Sequence, residues 1–323
     1  MSASVTGEKV LLIANPSAQS GKGAIAANFA ADVLERSLAE SAVGSYLAGA
    51  QLEVQFTKSA GDAYHFAFAA GGYRAVVALG GDGVIHDAVN GLMHLEAFDR
   101  PAFGVIPSGT GNDYARALGV PLGTAEAVQV LLQARAPRAV DVGSCNGVYF
   151  AETLSFGLDA AIALDTMERR ARTGQTGAKV FVASGIDQVL NHLRAYKYTG
   201  TFDDQSVQGQ SITFAVQVGP YYGGGFRICP DAQIDDGYFD ICIAHPPVGP
   251  MRALYIFLRA KNAHHTKFHQ IELRKVKSLS LHFDEQPCVQ IDGEPLVADS
   301  YEVRIHPHEL QVLAPPMRGS TSR

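Results

Sequence analysis

Between Lys9 and Arg135 the chain repeats one pattern: a short apolar run, a glycine-rich or polar turn, then residues at helical spacing. The runs are Val10 to Ala14, Leu52 to Phe56, Ala75 to Leu79 and Phe103 to Pro107. Helical segments such as Ala24 to Leu38, with Ile25, Phe29 and Val33 on one face, separate them. Short β-rich runs separated by helical segments are what a parallel α/β sheet requires, so this part predicts a doubly wound fold. After Pro137 the texture changes. Runs at Ala139 to Val142, Ser211 to Val218, Phe239 to Ala244, Leu279 to Phe283, Cys288 to Ile291 and Tyr301 to Ile305 follow one another with turns between them, as in an antiparallel sheet or sandwich. Two helical stretches interrupt them, one from about Asp159 to Tyr196 broken at the Thr173–Gly177 turn, the other from about Gly249 to Ala263. The expectation is two domains, residues 1–137 and 138–307.

Size agrees with that division, since 323 residues of which 47% are hydrophobic can bury two cores. The net charge of −6, with no long Lys/Arg cluster, argues against nucleic acid as the principal partner. Cys145, Cys229, Cys242 and Cys288 stand far apart without a CxxC pair, which indicates neither zinc nor a disulfide framework and fits a reducing cytosol. The first apolar run ends at Asn15-Pro16, too short for a signal core, and no stretch reaches membrane-spanning length. The expected location is cytoplasmic, with any membrane contact peripheral.

Three glycine-rich segments follow strand-like runs. Gly80-Gly81-Asp82-Gly83 and Ser108-Gly109-Thr110-Gly111-Asn112-Asp113 place carboxylates among glycines, whose backbone N–H groups can approach phosphate oxygens at a helix start. A plain turn would accept any small polar residue at position 82, which favours the functional reading. Asn15 to Gly23 ends a strand at Asn15-Pro16 and opens a helix around Gly21 and Lys22; a solvated turn and cap explains it equally well. Lys22 is followed by glycine rather than Ser or Thr, so this is not a P-loop, and GxGxxG does not occur.

GGDG, then a strand, then Pro107 to Arg116 (PSGTGNDYAR) resembles the diacylglycerol kinase catalytic domain family, including its soluble bacterial lipid kinases. Ser155 to Ala160, Gly223 to Ala232, Asp235 to Asp240 and Asp292 to Glu294 resemble later blocks of the family, in order. The related NAD kinases share GGDG but not these late blocks in this form. The resemblance implies an N-terminal nucleotide-binding α/β domain of the NAD kinase/diacylglycerol kinase type and a C-terminal β-rich, sandwich-like lipid domain, with ATP and substrate meeting between them. It also implies that residues 308–323 return to the first domain, Glu309 to Ala314 as a strand. Asp82, flanked by Gly80, Gly81 and Gly83, is expected at phosphates and metal. Asn15, Pro16, Gly21, Lys22, Ser108, Gly109, Thr110, Gly111 and Asn112 are expected to hold the nucleotide, and Asp113 and Arg116 to organise the cleft. Asp292 and Glu294 are expected to supply the general base. Asp235 and Asp236 match a turn that orders around Mg²⁺ in similar bacterial kinases, against a solvated turn as the alternative.

The implied activity is transfer of the γ-phosphate of ATP, with Mg²⁺, to a lipid hydroxyl, most simply diacylglycerol giving phosphatidic acid. A sphingoid base, phosphatidylglycerol or a soluble polyol is the alternative acceptor. Family members usually have Thr and Glu where this chain has Val84 and Asp87, which also admits a weakly active nucleotide-binding regulator. Arg169, Arg170, Arg172 and Lys179 at the helix break are candidates for anionic headgroups, against a solvated face. His264, His265 and His269 lack zinc spacing. A homodimer is left open.

Overall fold

The structure is a computed structural model that describes residues 8–18, 22–39, 44–175 and 177–316. The chain divides into two compact units, residues 1–140 with 308–323, and residues 141–307.

The first unit follows the alternation of its sequence: β1 (Lys9–Ala14), α1 (Lys22–Ala39), β2 (Gln51–Phe56), α2 (Asp62–Ala69), β3 (Ala75–Gly80), α3 (Asp82–Met93), β4 (Ala102–Pro107), α4 (Asp113–Leu118) and α5 (Thr124–Gln133). The strands pair in parallel in the order β2-β1-β3-β4, and residues 308–313 add beyond β4, with Val312 opposite Phe103. Every residue of β3 and β4 is buried. Leu34 of α1, Ile85 and Leu92 of α3 and Leu131 of α5 are also fully or almost fully buried, so the apolar runs read as strands covered by helices. Asp113 at the start of α4 and Gly119 at its left-handed end bracket one short turn of helix, too brief to stand without this packing.

The second unit contains β5 (Arg138–Cys145, whose first residues fall in the first unit), β6 (Val148–Phe150), β7 (Thr153–Gly157), α6 (Leu158–Thr173), α7 (Ala178–Asn191), β8 (Tyr196–Phe202), β9 (Gln205–Ser211), β10 (Thr213–Gln217), β11 (Phe239–Ala244), α8 (Pro250–Ala260), β12 (Ile271–Val276), β13 (Ser278–Phe283), β14 (Val289–Ile291), β15 (Glu294–Pro295) and β16 (Tyr301–Leu313), the last running on into the first unit. An antiparallel sheet runs β12-β11-β10-β7-β14-β15. A second antiparallel set joins β9, β8, β13 and the start of β16. Their core is aromatic: Phe156 packs edge-on against Phe214 and Tyr301, at 5.9 and 4.9 Å between ring centroids. The expected helix to Tyr196 ends earlier, at Asn191, and Tyr196 instead opens β8. The break at the Thr173–Gly177 turn is where expected: α6 closes on Gly174, whose φ of 67° is in the left-handed region that glycine adopts without strain and whose N–H donates to the Arg170 carbonyl.

Candidate active site

In the first unit the two acidic glycine turns lie at the carboxyl ends of adjacent strands, β3 and β4. Ser108 N–H donates to the Gly80 carbonyl at 2.8 Å, carrying the ladder to the end of the strands. Beyond it the turns touch backbone to backbone: a Cβ on Gly109 would stand 2.4 Å from Gly81 Cα, so a side chain there forces the turns apart. Asn112, at φ 55°, braces its own turn, accepting from Gly109 N–H at 2.8 Å and donating to the Gly109 carbonyl at 3.0 Å. Its left-handed backbone also aims two successive amides at one carboxylate. Asn112 N–H and Asp113 N–H donate to the two oxygens of Asp82, at 3.1 and 3.2 Å.

Asp82 is thereby fixed on the first turn of α3, whose dipole favours anions. Gly83 follows in the same turn, exposed. Oxygens of Asp82 and Asp113 lie within 4.8 Å of one another. A Cβ on Gly111 would meet Asp82 Oδ2 at 2.5 Å and Asp113 Oδ2 at 3.4 Å, so the glycine keeps open the space beside both carboxylates. Two hard oxygen donors with room beside them fit a divalent cation such as Mg²⁺. Arg116 folds back over the loop, its Nε donating to the Gly111 carbonyl at 3.3 Å and standing 3.9 Å from Asp113. Thr110 is exposed at the tip.

Asn15 joins this edge of the sheet, since its N–H donates to the Leu79 carbonyl at 3.0 Å and its side chain accepts from Ser17 N–H at 2.9 Å. Pro16 offers its carbonyl to Ala24 N–H at 3.2 Å, tying the loop to α1. Gly21 lies outside the described residues, and Lys22 opens α1. At the two departures from the family pattern, Val84 packs on Gly80, where a Cβ would meet Val84 Cγ2 at 2.7 Å, and Asp87 accepts from Gly61 N–H at 3.0 Å, tying α3 to the residue just before α2.

In the second unit Asp292 and Gly293 form the two-residue turn between β14 and β15. Their φ values, 48° and 96°, are both positive, as a type I′ hairpin requires. The hairpin is accompanied by an arrangement that a turn does not need. The buried Asp292 carboxylate accepts from three successive amides, Ala151 at 2.9 Å, Glu152 at 3.0 Å and Thr153 at 2.9 Å. Glu294, two residues on, is exposed. The turn is held from below by a buried polar row that the sequence did not disclose. Gly293 N–H donates to Gln290 Oε1 at 2.6 Å, Gln290 Nε2 donates to Ser155 Oγ at 2.7 Å, and the Ser155 hydroxyl bonds Asp159.

Asp159 has an Oδ2 without a hydrogen-bond partner among the described residues, and burial pushes its carboxyl up to about 7 against the pull of Ser155. It sits in the wall of a cavity of about 90 Å³ lined otherwise mainly by apolar groups, among them Leu158, Ile162, Ile256 and Phe257. Asp235 and Asp236 lie in a different place, the turn before β11. Asp236 accepts from Tyr238 N–H at 3.1 Å and pairs with Lys275 Nζ, which also stands 3.5 Å from Asp240. The buried Asp141 anchors that turn by accepting from Gly237 N–H at 2.7 Å. Of the expected cationic cluster, Arg169 pairs with Asp165 at 2.6 Å and with Asp187.

A parallel sheet with acidic glycine turns at neighbouring strand ends, followed in the chain by a β-rich unit, defines the fold class shared by NAD kinases and diacylglycerol kinases. The chain belongs to the diacylglycerol kinase catalytic domain family: residues 9–145 match that domain, and residues 152–314 match the YegS C-terminal NAD kinase beta sandwich-like domain. Among its relatives, "Probable lipid kinase YegS-like" of Pseudomonas syringae pv. tomato is 32% identical over 84% of this chain and 88% of its own length. A "Diacylglycerol kinase" of Staphylococcus saprophyticus is 28% identical over 81% and 85%. A crystal structure of a diacylglycerol kinase from Bacillus anthracis shares the fold, with a TM-score of 0.75 at 24% identity over 96% of this chain and 98% of that one.

Proposed function

We propose that this protein is a lipid kinase that transfers the γ-phosphoryl group of ATP to the hydroxyl of diacylglycerol, giving phosphatidic acid. The observation that carries the phosphoryl-transfer part is the pair of acidic glycine turns, with Asp82 locked by the amides of Asn112 and Asp113. Phosphoryl transfer asks a protein for positioning and charge neutralisation rather than covalent chemistry, and preorganised amides and carboxylates supply both. Asp82 and Asp113 would hold Mg²⁺, which when bound offsets the charge of the phosphate oxygens. Gly81, Gly83, Gly109 and Gly111 admit the phosphates to the backbone, and Asn15 and Thr110 contact the nucleotide. The acceptor oxygen attacks the γ-phosphorus, its bond to the β-phosphate oxygen breaks, and the hydroxyl proton passes to a carboxylate of the Asp292–Glu294 turn.

The relatives' names and the apolar cavity beside Asp159 support a lipid as acceptor. The test is transfer from radiolabelled ATP to diacylglycerol in mixed micelles, expected to yield labelled phosphatidic acid with the native chain and none with Asp82→Asn. Label appearing only on a sphingoid base, phosphatidylglycerol or a polyol would reassign the acceptor. Tight ATP binding without label on any acceptor would overturn the kinase reading and favour a nucleotide-binding regulator.

A further inference from the structure

We propose that the outer face of α8 docks the protein on an anionic lipid bilayer. Met251, Tyr255 and Leu258 are 74%, 49% and 47% exposed. At 3.6 residues per turn they fall within an arc of about 60°, a continuous apolar stripe. The opposite face of the helix is occupied, since Ala253, Ile256 and Ala260 are buried and line the cavity beside Asp159. The stripe is thus the part of α8 that the fold does not use.

Charge decides what the stripe meets. From Ile241 to Ile271 the chain has no Asp or Glu but has Arg252, Arg259, Lys261 and Lys267, in a protein whose net charge is −6. All four are exposed. Two are held beside the stripe: the Arg252 guanidinium lies 4.7 Å from the Phe268 ring centroid and that of Arg259 lies 5.8 Å from Tyr255. A second copy of the chain docking through this face about a two-fold axis would set these cations against their own equivalents with no carboxylate in the segment to pair. A bilayer with anionic headgroups supplies both a negative surface and an apolar layer. At eleven residues α8 lies along such an interface and cannot cross it, and no helix of the described residues is long and apolar enough to do so. Docking would bring the wall of the apolar cavity to the lipid phase, which deepens the lipid-acceptor reading without being required by it.

The test is co-sedimentation of the full chain, without ATP, with vesicles of phosphatidylcholine containing phosphatidylglycerol and with vesicles of phosphatidylcholine alone. Binding is expected to the anionic vesicles and to fall as salt is raised. Each interfacial cation contributes about fivefold, so R252Q/R259Q/K261Q is expected to lose about a hundredfold in partitioning. M251Q/L258Q is expected to lose at least about tenfold. Circular dichroism checks that both variants, altered only at exposed positions, stay folded. Failure to bind anionic vesicles, or equal partitioning of native chain and either variant, would overturn the proposal. So would a concentration-dependent dimer in analytical ultracentrifugation that L258Q dissociates, which would identify a second copy as the occupant. Docking that persists alongside absent kinase activity would sink only the kinase reading.

Discussion

Gln290 and Ser155 meet side chain to side chain at 2.7 Å, both fully buried, on strands paired in the same register. Because Gln290 also accepts from Gly293, the amide clamps the hairpin that presents Asp292 and Glu294. Gln290→Leu removes the clamp, leaving the Gly293 amide without its acceptor and the buried Ser155 hydroxyl with Asp159 alone. It is expected to cost about 2–4 kcal/mol, read as a lowered urea midpoint, and to lower kcat under conditions where the protein is still folded. Gln290→Glu keeps the acceptor for Gly293 and should retain more activity than the leucine variant.

Removing the negative charge of Asp82 while keeping its shape, as Asp82→Asn, is expected to reduce kcat by at least about a hundredfold. Its melting temperature should stay close to that of the native chain, because an amide oxygen still accepts from Asn112 or Asp113. Gly109→Ala is expected to be at least as severe in nucleotide binding, measured by calorimetry, since its methyl group would collide with Gly81.

Asp159 gives stability a definite pH slope. Its carboxyl ionises near the ordinary value of 3.8 when unfolded but at about 7 when folded. The folded state therefore binds more protons than the unfolded state between those limits. The contribution is full below the unfolded value and is lost as pH rises towards 7, by at most about 4 kcal/mol. Asp159→Asn should flatten this part of the profile, measured as the denaturant midpoint at pH values spanning the interval from 3.8 to about 7.

The cysteines should differ in reactivity. Burial pushes the thiols of Cys145 and Cys242 up to about 12 and raises that of Cys229 as well, while Cys288 is exposed. Iodoacetamide at neutral pH is expected to label Cys288 first, with the other three protected until denaturant is added; native-state mass spectrometry after short exposure checks this.

Three runs of the first unit, Val10 to Ala14, Ala75 to Leu79 and Phe103 to Pro107, were legible because a strand covered on both faces must be apolar throughout, while Leu52 to Phe56 alternates with Glu53 and Gln55 and forms the part-exposed edge; each became a parallel strand. Gln205–Ser211 carried no such signal. Only Val207 is apolar in it, and the strand exists because Tyr196–Phe202 offers it a ladder. Ser155 to Ala160 stands out in the sequence as a motif, while the strand it overlaps, Thr153–Gly157, is not evident there; Thr153 and Ser155 are fully or almost fully buried in it and bonded to glutamines on its neighbours. The acidic glycine turns were visible as strings, but the bonds that lock them join residues 30 apart, and the clamp beneath Asp292 spans 135. Spacing along a chain cannot report such pairs; they arise from topology.

The pairing of Val312 with Phe103 has a consequence for how the protein is made. As the chain leaves the ribosome, β4 emerges long before the residues that cover its open edge, so the first unit waits through the whole of the second with an unpaired apolar strand. Nascent chains stopped before residue 308 are expected to engage chaperones and resist release in soluble form, and release should improve once residue 313 has cleared the exit tunnel.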